Sequence, residues 1–158
     1  MRTKGKSSVE FNNVFLRSSA AISGPKEKKG PLGKFFDYSY DDPYCRTENW
    51  EQAEIKLQKD AMKLALKKIG LEFSDIRVVI GGDLNNQLAI TNYAMRDFDV
   101  PYLGVYSACS TCTQSIAIAS MLIDSGYGEN ILIITSSHNS TSERQFRYPT
   151  EYGGQKPT

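Results

Sequence analysis

The chain has 158 residues, 40% of them hydrophobic and 23% charged; that is enough apolar material for one buried core and too much for a disordered chain. Its formal net charge of +1 excludes the strongly basic surface of a nucleic-acid-binding domain. No apolar run reaches the roughly 18 residues that span a bilayer.

The N-terminus, MRTKGKSSVEFNN, is basic but lacks the apolar core of a secretory signal. Three cysteines, Cys45, Cys109 and Cys112, make no disulfide-rich pattern, so a reducing cytosolic setting is expected. Residues 1–10 read as a frayed or edge segment. Val14 to Ile22, VFLRSSAAI, reads as a first strand stopped by Ser23-Gly24-Pro25. Residues 26–30, KEKKG, read as a charged, solvated loop. Between Phe35 and Tyr44, the rings of Phe35, Phe36, Tyr38 and Tyr40 alternate with Asp37, Asp41 and Asp42. Neither a helix nor a strand period fits that stretch, which predicts an ordered loop pinned by its aromatics.

Asn49 to Gly70 carries the clearest helical period. Lys56, Lys59, Asp60, Lys63 and Lys67 fall on one face, and Ile55, Ala61, Met62, Ala65, Leu66 and Ile69 on the other. Asn49 with Gln52 makes a capping box, and Gly70 supplies the stop. Residues 76–80, IRVVI, predict a strand buried on both faces. The polar run Gly81-Gly82-Asp83-Leu84-Asn85-Asn86-Gln87 follows, then a weaker helix from about Gln87 to Phe98. Tyr102 to Tyr106 predicts a further strand, and a helix runs from Thr113 to the stop at Gly126. Ile131 to Thr135 is the last apolar strand, followed by Ser136-Ser137-His138-Asn139-Ser140. Short apolar strands alternating with helices predict an α/β fold with a mostly parallel sheet covered on both faces. The tail EYGGQKPT closes no element and suggests a fragment or an early stop.

Ligands of open parallel sheets bind outside the carboxyl ends of the strands. Three polar clusters fall there: 81–87, 107–111 and 136–139. Cys109 lies where a strand hands over to a helix N-terminus, whose free N–H groups favour a thiolate or a bound anion. The same position also suits a small buried cysteine. A thiol nucleophile would need a base, and His138 is the one histidine. Asp83, Asn85 and Asn86 could orient a ligand, or could simply be turn residues. Cys109 and Cys112 form a C-x-x-C, and a Cys₃His zinc set with Cys45 and His138 is arithmetically possible. A second closely spaced ligand pair is missing, so neither a metal nor a cofactor is expected. P-loop, GxGxxG and HExxH motifs do not occur.

Cys109 in YSACSTC at the start of a central helix resembles the N-terminal half of the thiolase and ketoacyl-synthase superfamily. VFLRSSAAISGPKEKKGPLGKFFD, NWEQAEIKLQKDA, IGGDLNNQ and the C-terminal TSSHNSTSERQFRYPTEYGGQKPT resemble, more closely, the stage V sporulation protein AD family of endospore formers. That resemblance implies a thiolase-like domain of which residues 1–158 are the N-terminal half, the C-terminal half being absent. It implies a sporulation protein that binds dipicolinic acid, as its calcium chelate, and supports uptake into the developing spore. Cys109, Asp83, Asn86, Ser110 and His138 become the expected ligand residues, with Thr111 beside them and Arg144 or Arg147 as candidate cations. The implied partners are the stage V sporulation A channel proteins, at the cytoplasmic side of the spore inner membrane. Pairing with the missing half, or as a homodimer, is expected to cover an exposed apolar face. The alternatives are a Cys-dependent acyltransferase or condensing enzyme using Cys109, and a half-domain that only pairs with a partner.

Overall fold

The computed structural model describes residues 2–146, with side chains through residue 143. Its centre is a parallel three-stranded sheet of β5 (Val78–Gly82), β6 (Tyr102–Gly104) and β7 (Ile131–Thr135), in the order β6-β5-β7. The fold is therefore α/β. Strand side chains alternate between faces, and the helices use that alternation. Val79 and Ile134 pack against Met62 and Leu66 of α2 (Trp50–Lys67) and Met95 of α3 (Ala89–Met95). Val78 and Ile80, with Ile131 and Ile133, meet Ile118, Ala119 and Leu122 of α4 (Thr111–Asp124) on the opposite face.

Helix α2 follows its sequence period. Asn49 caps it by accepting from the Gln52 N–H at 2.9 Å, and Gly70 beyond its end takes a left-handed φ of +66°. Lysines of its outer face pair with carboxylates, Lys56 with Asp60 and Lys59 with Asp97; partly exposed pairs of this kind contribute little stability.

Several local expectations change. Val14 to Ile22 is not a strand except at its end, where β3 (Ile22–Ser23) pairs in parallel with β4 (Tyr38–Ser39). Phe15 and Leu16 are 76% and 84% exposed. Polar groups of this segment are satisfied one at a time: Ser18 Oγ donates to the Ala65 carbonyl, and the Ala21 N–H to Asp37. The Asp37 N–H donates back to the Ala21 carbonyl at 2.9 Å. Residues 2–10 hold an antiparallel hairpin of β1 (Arg2–Lys4) and β2 (Ser8–Glu10). The charged loop winds into one helical turn, α1 (Pro25–Lys28), because Pro25 presets the first φ. The aromatic stretch is ordered, with Tyr38 and Tyr40 edge to face at 5.0 Å, but it holds strand β4 where the sequence pattern predicts a loop, and the Phe35 ring is exposed.

Strand β5 runs two residues further than the apolar pattern, through Gly81 and Gly82, because only glycine lets β7 approach so closely. A Cβ on Gly81 would fall 1.7 Å from the Ile134 carbonyl oxygen. Gly81→Ala should therefore cost about 3 kcal/mol or more, read as a lower urea midpoint; an unchanged midpoint would contradict this packing.

Candidate functional site

The connections leaving the carboxyl edge of the sheet diverge. After β5 the chain turns to α3 on the α2 face; after β6 it crosses to α4 on the other face. Helix α5 (Asn139–Phe146), which follows β7, returns to pack on α2. Topology marks as the place for a ligand crevice the point where neighbouring strands send their chains to opposite faces, which here lies between the ends of β5 and β6.

The β6 side of this crevice carries Cys109. Residues Ala108–Ser110 form a 3₁₀ turn leading straight into α4, and Ala108 takes φ +45°, a conformation costing a residue with a Cβ about 1–2 kcal/mol. Cys109, Ser110 and Cys112 are exposed. Ser110 is engaged locally: its hydroxyl donates to the Ser107 carbonyl at 2.8 Å and lies 2.5 Å from the Ser107 hydroxyl. No side chain caps the start of α4. Thr111 and Ser115, in its first turns, are 1% and 0% exposed, and neither hydroxyl has a protein partner. Amide donors, orphaned hydroxyls and a thiol thus share one helix start.

The β5 side is organised by a ring of buried hydrogen bonds. Asp83 is 1% exposed. One of its oxygens accepts from the Asn85 N–H at 2.8 Å, the other from the Thr91 N–H at 2.8 Å and the Thr91 hydroxyl at 2.6 Å. Gln58 Nε2 donates to Thr91 Oγ1 at 2.9 Å and to Ser136 Oγ at 2.7 Å. Ser136 in turn donates to Glu54 at 2.7 Å, and Asn85 Nδ2 reaches the other Glu54 oxygen at 3.2 Å. The ring passes through α2, the 83–87 loop, α3 and the turn after β7. It holds Gln87 and Leu88 between anchored neighbours although both take φ +55°.

Within this ring Asp83 faces inward, Asn85 is buried and Asn86 is exposed. His138 is turned the other way: Nε2 donates to the Pro43 carbonyl at 2.8 Å, while Nδ1 is buried without a protein partner. Asp83, Asn85 and the 136–138 turn are brought together; Cys109 and Ser110 stand on the separate β6 loop. Cys45 lies in the core with Tyr40 and Ala53, where burial pushes its thiol up to about 11. Of the candidate cations, Arg147 lies outside the described residues and Arg144 falls in α5. A groove of about 520 Å³, lined by Lys63, Lys67, Leu71, Phe73 and Phe98 among others, opens near the residues that enter β5 and β6, away from these polar loops. Its walls carry lysines over an apolar floor, without converging polar groups.

Glu54, Gln58 and Thr91 are the residues that the sequence pattern did not single out. A signal was present: residues 54, 58, 62 and 66 recur every four positions, so a carboxylate and an amide share the stripe that buries Met62 and Leu66. Burial raises the Glu54 carboxyl, and the nearby Asp83 charge adds to the rise, to about 7. Hydrogen bonds from Ser136, Asn85 and the His138 N–H oppose it.

The fold is an open α/β sheet with polar loops at its carboxyl edge, the edge where such sheets place their ligands when they bind one. Residues 5–158 match the family model of stage V sporulation protein AD. The chain is 48% identical to the stage V sporulation protein AD of Bacillus subtilis (strain 168), over 99% of its own length and 47% of that relative's. The chain therefore belongs to the stage V sporulation protein AD family and spans about half the length of this relative. Among the described residues, no helix is long and apolar enough to cross a membrane.

Because the folded state binds the Glu54 proton more tightly than the unfolded chain, its contribution is fully present below pH 4.5. It is lost as pH rises to about 7. Glu54→Gln should remove roughly 3 kcal/mol of that decline, measured as the difference between urea curves at the two ends of this window. An identical decline in both proteins would contradict the assignment.

Proposed function

We propose that this chain forms the N-terminal half of a thiolase-like sporulation protein that binds dipicolinic acid as its calcium chelate and supports its uptake into the developing spore. The carrying observation is the uncapped start of α4, where exposed Cys109 stands beside the buried, unpartnered hydroxyl of Thr111. Dipicolinate is a flat aromatic dianion, and backbone N–H groups with hydroxyls complement its carboxylates. In this reading Cys109 and Ser110 face the ligand from the β6 side and Asn86 from the β5 side. Asp83 holds the 83–87 loop in place, and His138, its ring turned to the Pro43 carbonyl, belongs to the turn after β7 that borders the site.

A partner surface belongs to the same reading. Ile116 and Met121 on α4 are 48% and 44% exposed, and Leu103 and Tyr106 beside β6 are 42% and 59% exposed. A C-terminal half or a second copy would cover them. The assembled protein would dock on the stage V sporulation A channel proteins from the cytoplasmic side of the spore inner membrane.

The second reading is a Cys-dependent acyltransferase, favoured by an exposed thiol immediately after a strained residue. Titration calorimetry with dipicolinate and calcium decides. Binding in the micromolar range, weakened about tenfold by Cys109→Ala, supports the binding protein. Absence of binding, with a Cys109-dependent mass gain from acyl-CoA, supports the enzyme.

A further inference from the structure

Glu54 is 0% exposed, and the binding reading does not use it. Its two oxygens nevertheless join both turns that border the candidate site. One accepts from Ser136 Oγ at 2.7 Å; the other accepts from Asn85 Nδ2 at 3.2 Å, and the His138 N–H adds a further donor. One helical turn on, Gln58 bridges Ser136 to Thr91 and so to Asp83. No cation takes part in these contacts. A carboxyl buried in this way is held by neutral donors alone.

We propose that Glu54 is a positioning residue: it ties the 83–87 loop, on the β5 side of the proposed site, to the 136–138 turn, and so sets the affinity of the site for an anion. The anion itself rests on the binding reading above; the brace rests on the hydrogen bonds.

The groups that face Glu54 define the electrostatics. The 83–87 loop brings Asp83 and Asn85, α3 brings Thr91 through Gln58, and the turn after β7 brings Ser136 and the His138 N–H. The His138 ring is directed to Pro43, and α5 carries Glu143 on an exposed position. Asp83 is therefore the charge that acts on Glu54, and it has the same sign. Placing a dianion nearby adds negative charge. Binding is then favoured when Glu54 is protonated and takes up a proton, in keeping with a carboxyl that burial lifts toward neutrality.

The test uses the full chain with dipicolinate as the probe, which stays a dianion from about pH 5.5 to about pH 7.5. Calorimetry across this range should show affinity falling about tenfold as pH rises. Glu54→Gln should abolish most of the slope and stay near the tight limit, because the amide keeps one acceptor while Asn85 can turn its own amide to match. Glu54→Ala should bind weakly at every pH. Amide NMR of Asn85, Ser136 and His138 reads the brace without ligand: a shared titration in the wild type, absent in Glu54→Gln, supports the proposal. Missing dipicolinate binding alongside that shared titration would overturn the binding reading and leave the brace standing. A slope retained in Glu54→Gln, or amides that do not titrate together, would overturn the proposal.

Discussion

Two carboxyl groups, Glu54 and Asp83, are buried in one hydrogen-bonded ring without a cation among its bonded members. The geometry of the sheet's carboxyl edge depends on that ring. An unpaired charge in the interior costs several kcal/mol unless donors surround it, so the ring persists only if α2, α3 and the two turns keep their relative positions. This constraint runs both ways. The helices hold the donors in register, and the ring holds loops whose own backbone is strained, Gln87 and Leu88 among them. A half-satisfied network would be worse than an apolar one, which makes the arrangement close to all-or-none.

The apolar layers supply the frame for this polar edge. Alternation along β5 and β7 sends Val79 and Ile134 toward α2 and α3, and Val78, Ile80, Ile131 and Ile133 toward α4. Glycine at positions 81 and 82 brings β7 and the end of β6 close enough for the turns to meet. The divergence of the chain after β5 and β6 then sends α3 and α4, which starts beside Cys109, to opposite faces of the sheet. Membership of the stage V sporulation protein AD family gives this edge a biological setting, sporulation.

Much of the frame was legible in the residues. Helix α2, strand β7 and the strand-to-helix passage around Cys109 follow period and caps, and their bounds fall within a few residues of expectation. Residues 14–21 were not legible, because VFLRSSAAI has a strand's composition while its hydrogen-bond partners come from Ala65 and Asp37, distant in sequence. The site was legible as three polar clusters but not as a network. Asp83 stood out as a loop carboxylate; that it turns inward to Thr91 depends on the packing of α3. Glu54 passed for an ordinary helical glutamate because neighbouring positions carry so many charges. Only the four-residue spacing to Gln58, Met62 and Leu66 marks its face as buried.

A double-mutant cycle tests whether the ring acts as one unit. Gln58 and Asn85 share no hydrogen bond and lie on opposite arcs, joined through Glu54 and Ser136 on one side and Thr91 and Asp83 on the other. Unfolding free energies of Gln58→Leu, Asn85→Ala and the double variant should show a coupling of about 1 kcal/mol or more. Losses that add to within about 0.5 kcal/mol would mean independent contacts, and would contradict the account.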